Sequence, residues 1–296
     1  MLNVTKKIFT LFEDFEPDLV ISCHPLGGQI TSFLKSHKKT NCKLATVMTD
    51  FASHKQWLIG KDYTDYFFVS NIEMKTSLIS EGIYPNKIYV SGIPISPNFY
   101  KNYDKENIYK SLNIAKNKKN IIFFGGGSLG LSSSSNIQAI LTSLLQATDE
   151  SHQIIIISGK NQKLYNDFQK TINNTYHKSE IKLIDFTTKL PELLPITSFV
   201  ITKPGGLTIT ECISTNVPII LINPIPGQEK ENAQYIADNK MGIWIKTNKP
   251  TSEYFQEIFN DTKLIEEIKE KQKKYSHINS TKNICDILIN ENKSEN

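Results

Sequence analysis

The chain has no apolar run approaching the roughly 20 residues that a membrane-spanning helix needs, so its 296 residues predict no span. Its start, Met1-Leu2-Asn3-Val4-Thr5-Lys6-Lys7-Ile8-Phe9, lacks the long apolar core and cleavage site of a signal peptide. The four cysteines, Cys23, Cys42, Cys212 and Cys285, form no C-x-x-C pair and show no metal-ligand spacing. They read as reduced packing thiols of a cytosolic protein. Neither sign of charge is in large excess. A net charge of +4 is too small to argue for nucleic acid, and no basic-aromatic stripe supports one. It does suit weak attraction to an anionic lipid surface or an anionic substrate. What remains, 39% hydrophobic and 22% charged residues, is the composition of a globular protein with room for two domains.

Short apolar runs alternate with helical patterns, which implies parallel βαβ units. Val4, Ile8, Phe9, Leu11, Phe12 and Phe15 mark one face of a helix over 4–15. Pro17-Asp18 introduces a strand at 19–22, which ends in the loop Cys23-His24-Pro25-Leu26-Gly27-Gly28. Ligands of open α/β sheets bind at such C-terminal strand ends. A helix at 29–36 leads to a strand at 43–48 and then to Thr49-Asp50-Phe51-Ala52-Ser53-His54-Lys55-Gln56-Trp57. Asp50 and His54 are candidate general bases for a hydroxyl nucleophile. Trp57 offers a flat apolar surface for a sugar or a lipid glycerol. Each alone reads more readily as a capping Asp, a surface His and a half-buried Trp; together, after one strand, they suggest a site. A strand at 66–70, a helix at 72–81 and a strand at 88–91 follow, and Ile93–Pro97 with the polar region 100–118 reads as a linker.

The second half begins with a strand at 120–124 and Gly125-Gly126-Gly127. Glycines between a strand and a helix suit close phosphate approach, although neither the spaced G-x-G-x-x-G nor a Walker loop is present. Strands at 153–157 and 181–186 follow, the latter ending at Phe186. Ser198-Phe199-Val200-Ile201 then feeds Thr202-Lys203-Pro204-Gly205-Gly206-Leu207-Thr208-Ile209-Thr210-Glu211. Pro204 ends the strand, and Gly205 and Gly206 allow a tight turn. The helix that follows aims its N-terminus at an anion. Glu211, one turn in, is placed to accept hydrogen bonds from paired sugar hydroxyls. A glycine-capped turn with a surface Glu is the plainer reading. After the strand at 217–222 comes Pro226-Gly227-Gln228-Glu229-Lys230-Glu231-Asn232. Gln228, Glu229 and Asn232 supply the directional groups that reading sugar hydroxyls requires, unless they form only a charged helix start. A strand at 242–245 follows, and 252–290 is helical by pattern.

These stretches, in this order, resemble the processive diacylglycerol glucosyltransferases of Gram-positive bacteria and the plant monogalactosyldiacylglycerol synthases. Those are GT-B glycosyltransferases of family 28, related to the peptidoglycan enzyme that adds N-acetylglucosamine to lipid I. The resemblance rests on Pro17-Asp18-Leu19-Val20-Ile21, Val47-Met48-Thr49-Asp50 with His54 and Trp57, and Gly92-Ile93-Pro94-Ile95. Gly125-Gly126-Gly127, Lys203-Pro204-Gly205-Gly206-Leu207-Thr208 with Glu211, and the 226–233 run complete it.

The resemblance implies an α/β chain of two Rossmann-like parallel-sheet domains. A partial acceptor domain over 1–100 and a linker over 101–118 precede a UDP-sugar domain over 119–275 and a C-terminal helix and tail over 276–296. The N-terminal domain is expected to be truncated, since the family's first strand and Gly-x-Gly-His loop have no counterpart. Gly126, Gly127, Lys203, Gly205, Gly206 and Thr208 would line the diphosphate, and Phe186 would lie at the uracil. Glu211 would hold the ribose, and Gln228, Glu229 and Asn232 would meet the sugar and phosphates. Asp50 and His54 would be catalytic, with Pro25 and Trp57 on the acceptor side. The reaction expected is hexose transfer, glucose or galactose, from UDP-sugar to diacylglycerol with inversion, at the anionic inner face of the cell membrane. No metal and no cofactor is expected, the UDP-sugar being a substrate. A non-catalytic UDP-sugar binder, or half of a two-chain enzyme completed by a partner chain or a homo-oligomer, is the alternative. A 2-epimerase or peptidoglycan transferase fits the 228–232 run less well.

Overall fold

We describe a computed structural model of the chain over residues 2–125, 134–247, 250–276 and 279–293. The chain divides into two compact units, one of Met1–Pro94 with Asn279–Asn296, the other of Ile95–Ile278. Each is built on a parallel sheet. Among the described residues no helix is long and apolar enough to cross a membrane.

Among the described residues the first unit has four strands in sequential order: β1 (Leu19–Ser22), β2 (Lys43–Val47), β3 (Tyr66–Val69) and β4 (Ile88–Val90). Helices α1 (Leu2–Phe15), α2 (Pro25–Ser36) and α3 (Ile72–Ser80) fall before and between them. The two-residue period of a strand sends alternate side chains to opposite faces. Phe67 and Val69 thus join Met48, Met74 and Leu78, while Tyr66 and Phe68 join Ala45 and Val47 on the other side. A parallel sheet needs both faces covered. Here α3 covers one through Met74 and Leu78, and the last helix of the chain covers the other through Ile284 and Leu288.

Helix α2 begins at Pro25, not near residue 29 as the glycines suggested. His24 is its N-cap, accepting the Leu26 N–H on Nδ1 at 3.2 Å, and Pro25 takes the first helical position, where its missing N–H loses nothing. Gly27 is inside the helix because a Cβ there would meet Ser22 Oγ at 2.6 Å. The glycine serves close packing of helix on strand, and the expected binding loop is a helical turn.

The second unit carries α4 (Lys105–Ser111), which buries Ile108, then β5 (Lys119–Phe124), α5 (Ser134–Ala147), β6 (His152–Ile157), α6 (Gln162–Asn174) and β7 (Glu180–Ile184). A short α7 (Leu190–Leu193) precedes β8 (Thr197–Thr202), α8 (Gly206–Ser214), β9 (Ile219–Leu221), α9 (Gln228–Asp238) and β10 (Ile243–Trp244). The strands stand in the order β10-β9-β8-β5-β6-β7. The chain winds one way from β5 to β7, then returns to β8 beside β5 and winds the other way. The C-terminal ends of β5 and β8 therefore flank the topological switch point, where ligands of doubly wound sheets bind. The helical stretch after residue 252 is three helices, α10 (Ser252–Asn260), α11 (Thr262–Tyr275) and α12 (Ser280–Lys293). Asp261 caps α11 by accepting the Leu264 N–H at 2.9 Å.

Candidate functional site

At the switch point, β5 delivers Gly125, whose N–H bonds the Ile157 carbonyl at 3.0 Å. A Cβ on Gly125 would overlap the Phe168 ring, so this glycine is required by packing. Gly126 and Gly127 lie outside the described residues. Across the switch point, β8 ends at buried Thr202 and hands over to Lys203-Pro204-Gly205. The Gly205 N–H bonds the Lys203 carbonyl at 2.9 Å, and Gly205 is the N-cap of α8 with φ −76°. A Cβ on Gly205 would have nothing within 4 Å. In contrast to Gly125, nothing in the fold demands a glycine there.

Helix α8 opens with Gly206, Leu207 and Thr208, with no acidic residue in its first turn. The first N–H groups of any helix lack intrahelical partners and carry the positive end of its dipole. This end is therefore suited to an anion. Glu211, one turn further, is mostly buried, and that burial pushes its carboxyl up to about 7. Its neighbour Cys212 is wholly buried with its thiol raised well above the usual value, as befits an inert packing thiol.

The loop after β9 is organised by its own polar side chains. Glu229 Oε2 accepts the Ile225 N–H at 2.7 Å. Asn232 is 1% exposed and donates Nδ2 to the Pro204 carbonyl at 3.2 Å. Asn223 (φ 44°) and Gly227 (φ 98°) give this loop its turns. Gln228, the first residue of α9, is exposed. On the other side of the sheet, Phe186 stands 54% exposed just past β7. The Lys160 ammonium lies 5.0 Å from its ring centroid. The Gly159 N–H donates to the Asp185 carbonyl at 2.8 Å, which ties the ends of β6 and β7 together. Lys160 escaped the sequence reading; its signal is Ser158-Gly159-Lys160-Asn161 at a C-terminal strand end.

In the first unit, Asp50 and Trp57 come together away from solvent. Asp50 is fully buried and Trp57 is 4% exposed, with its indole N–H donating to Asp50 Oδ2 at 2.8 Å. Trp57 belongs to the core beneath α3, so the flat surface expected for a sugar is turned inward. Ser70 and Asn71, at the end of β3, donate to the Asp50 and Phe51 carbonyls at 2.7 and 2.8 Å. His54 is half-buried and starts a 3₁₀ turn over Lys55–Leu58, its Nδ1 accepting the Gln56 N–H at 3.4 Å. Pro25 is half-buried in the first turn of α2, beside exposed Leu26. Among the described residues no group of three His, Cys, Asp or Glu side chains is placed to hold a metal.

Comparison with known proteins matches two family models. The monogalactosyldiacylglycerol (MGDG) synthase model covers residues 2–95, and the glycosyltransferase family 28 C-terminal domain covers 121–287. The processive diacylglycerol beta-glucosyltransferase of Bacillus pumilus is 30% identical over 289 residues, 96% of this chain and 71% of that protein. Its Bacillus subtilis counterpart is 28% identical over 288 residues, 97% of this chain and 72% of that protein. Among solved structures, Acinetobacter baumannii MurG superposes with a TM-score of 0.67 at 15% identity, over 97% of this chain and 77% of that one. Anabaena HepE in complex with UDP gives 0.63 at 16%, over 97% and 82%. The UDP-GlcNAc 2-epimerase of Neisseria meningitidis bound to UDP-GlcNAc gives 0.73 at 16%, over 98% and 81%. These likenesses show the fold, GT-B with two parallel-sheet α/β units.

Proposed function

The chain belongs to glycosyltransferase family 28, and from that premise we propose that it transfers a hexose from a UDP-sugar to diacylglycerol, forming a membrane glycolipid with inversion at the anomeric carbon. The observation that carries the donor half is the end of β8. There the space beside Gly205 is open, α8 starts without an acidic residue, and Glu211 waits one turn in. A diphosphate takes the helix N-terminus and the ribose hydroxyls donate to Glu211. The chain contains no arginine, so no bidentate guanidinium clamps the phosphates. Lys203, the backbone N–H groups of Gly206 and Thr208 and the dipole of α8 stabilise the departing UDP in its place, as preorganised electrostatics. Gly126 and Gly127 belong to the same diphosphate site, and Gln228 and Glu229 to the sugar end. Phe186 serves the base. No metal and no cofactor enters the reaction.

The diacylglycerol hydroxyl attacks the anomeric carbon as the glycosidic bond to UDP breaks, and its proton goes to a general base. Asp50 anchors the loop after β2 through Trp57. His54, half-buried at the turn that follows Asp50, is the candidate for that base. Pro25 stands on the acceptor side. Membrane association is peripheral, on the cytoplasmic face. Labelled UDP-glucose or UDP-galactose supplied with vesicles of diacylglycerol in anionic phospholipid yields labelled glycolipid on this reading. Folded protein that makes none from either donor refutes it.

A further inference from the structure

The turn Lys203-Pro204-Gly205 after β8 is tied to α9, the helix that follows β9, by a buried side chain. Asn232 projects from the second turn of α9, 1% exposed, and its carboxamide reaches back 28 residues to the Pro204 carbonyl at 3.2 Å. We infer that Asn232 is a positioning residue, which keeps the Pro204 carbonyl turned into the protein so that the N-terminus of α8 presents only N–H groups to the donor diphosphate. The inference rests on the donor reading above and departs from the expectation that Asn232 contacts the sugar.

The argument is conformational first. The pyrrolidine ring fixes φ of Pro204, and Gly205 carries no Cβ to restrict the torsions that follow. The direction of the 204–205 peptide is therefore set by ψ of Pro204, which local sterics hold loosely. Two hydrogen bonds hold it instead: Asn232 on the carbonyl and the Lys203 carbonyl on the Gly205 N–H. A buried carbonyl must find a donor, and Pro204 is buried.

The consequence is electrostatic. If the 204–205 peptide turned over, its partial negative oxygen would stand beside the N–H groups at the start of α8. An anion would then meet repulsion where the helix end offers attraction. The carboxamide also fastens α9 to α8, so the two helix starts that follow β8 and β9 keep one spacing.

The test compares wild type with Asn232→Asp and Asn232→Ala, using uridine, UDP and UDP-glucose as probes. Affinities are read by calorimetry, with uridine measured by displacement of UDP. Asp places a carboxylate against the Pro204 carbonyl, whereas Ala only removes the donor. UDP and UDP-glucose should weaken by the same factor, about tenfold for Ala and more for Asp, while uridine affinity holds. If Asp prevents folding, as judged by circular dichroism, Ala carries the same comparison. Loss for UDP-glucose with UDP unchanged would make Asn232 a sugar contact and overturn the inference. An equal loss for all three probes, or no loss, would overturn it as well. Wild type that binds neither UDP nor UDP-glucose would instead remove the donor reading itself, and the inference with it.

Discussion

Glu211 carries the sharpest consequence of a single side chain. Burial holds its carboxyl at about 7, against 4.5 for an ordinary Glu. The folded state thus binds more protons than the unfolded state between those values, so this group's contribution to stability is full below about 4.5 and declines as pH rises through about 7. The decline is on the order of 3 kcal/mol at most, and Glu211→Gln should remove it, as thermal melts from pH 4.5 to 8 will show. A slope unchanged in the variant would clear Glu211. Binding runs in the opposite sense. Ribose hydroxyls donate best to the ionised carboxylate, so UDP-glucose affinity should rise with pH up to about 7 and level off. In Glu211→Gln that rise should vanish. UDP-glucose is the suitable probe because its diphosphate is esterified at both ends and does not titrate there. Asp50 makes a second residue-scale case. Asp50→Ala leaves the buried Trp57 indole N–H without its acceptor and should cost about 2–3 kcal/mol. His54→Ala, which removes one long bond at a half-buried turn, should cost under about 1 kcal/mol. Urea melts of the two variants decide this, and equal costs would contradict it. Glu211 was legible as a site candidate because spacing alone puts it one turn into a helix. The inward turn of Trp57 was not, since six residues of loop and 3₁₀ turn separate it from Asp50 and only the packed core sets their meeting.

Helix starts are the working elements of the second unit, and the glycines before them differ in kind. Gly125 is pressed against Phe168 and Leu164, whereas Gly205 faces open space with an ordinary φ of −76°. Gly125→Ala should therefore destabilise the unit by about 1–3 kcal/mol through overpacking. Gly205→Ala should change stability by less than about 1 kcal/mol in either direction, since Ala fits the backbone but is a poorer N-cap. Its UDP affinity should nonetheless fall at least tenfold, because the methyl stands where a phosphate belongs. Chemical denaturation paired with UDP titration separates the effects, and a Gly205→Ala protein with normal UDP affinity would take the diphosphate away from this turn. Sequence showed the strand–turn–helix order here, because Pro204 must end a strand and a helix must follow. It gave no means of telling a glycine that serves packing from one that serves a ligand. The same limit placed α2 too late, since Gly27 and Gly28 read as a loop until Ser22 is seen beneath them.

The first unit is completed from the far end of the chain. Helix α12 seats Ile284 and Leu288, 5% and 3% exposed, against Ala45, Val47 and Phe68 on the face of the sheet opposite α3. The alternation of inward residues along β2 and β3 announces two buried faces. No local pattern says which helix covers the second one, and the periodicity at 252–290 says only that these residues are helical. The join between distant segments is a tertiary fact, found in the contacts and not in the spacing. It predicts that a change near the C-terminus is felt near the N-terminus. Ile284→Ala or Leu288→Ala should each cost the first unit about 2–4 kcal/mol, because each empties a packed position that cannot collapse without moving the sheet. The chain supplies its own reporters, since its two tryptophans, Trp57 and Trp244, fall one in each unit. In a Trp244→Phe background the fluorescence of Trp57, buried under α3, follows the first unit alone. Its urea midpoint should drop in the α12 variants while UDP binding by the second unit persists at denaturant concentrations below that midpoint. A midpoint that does not move in either variant would mean that α12 is not part of the first unit's core.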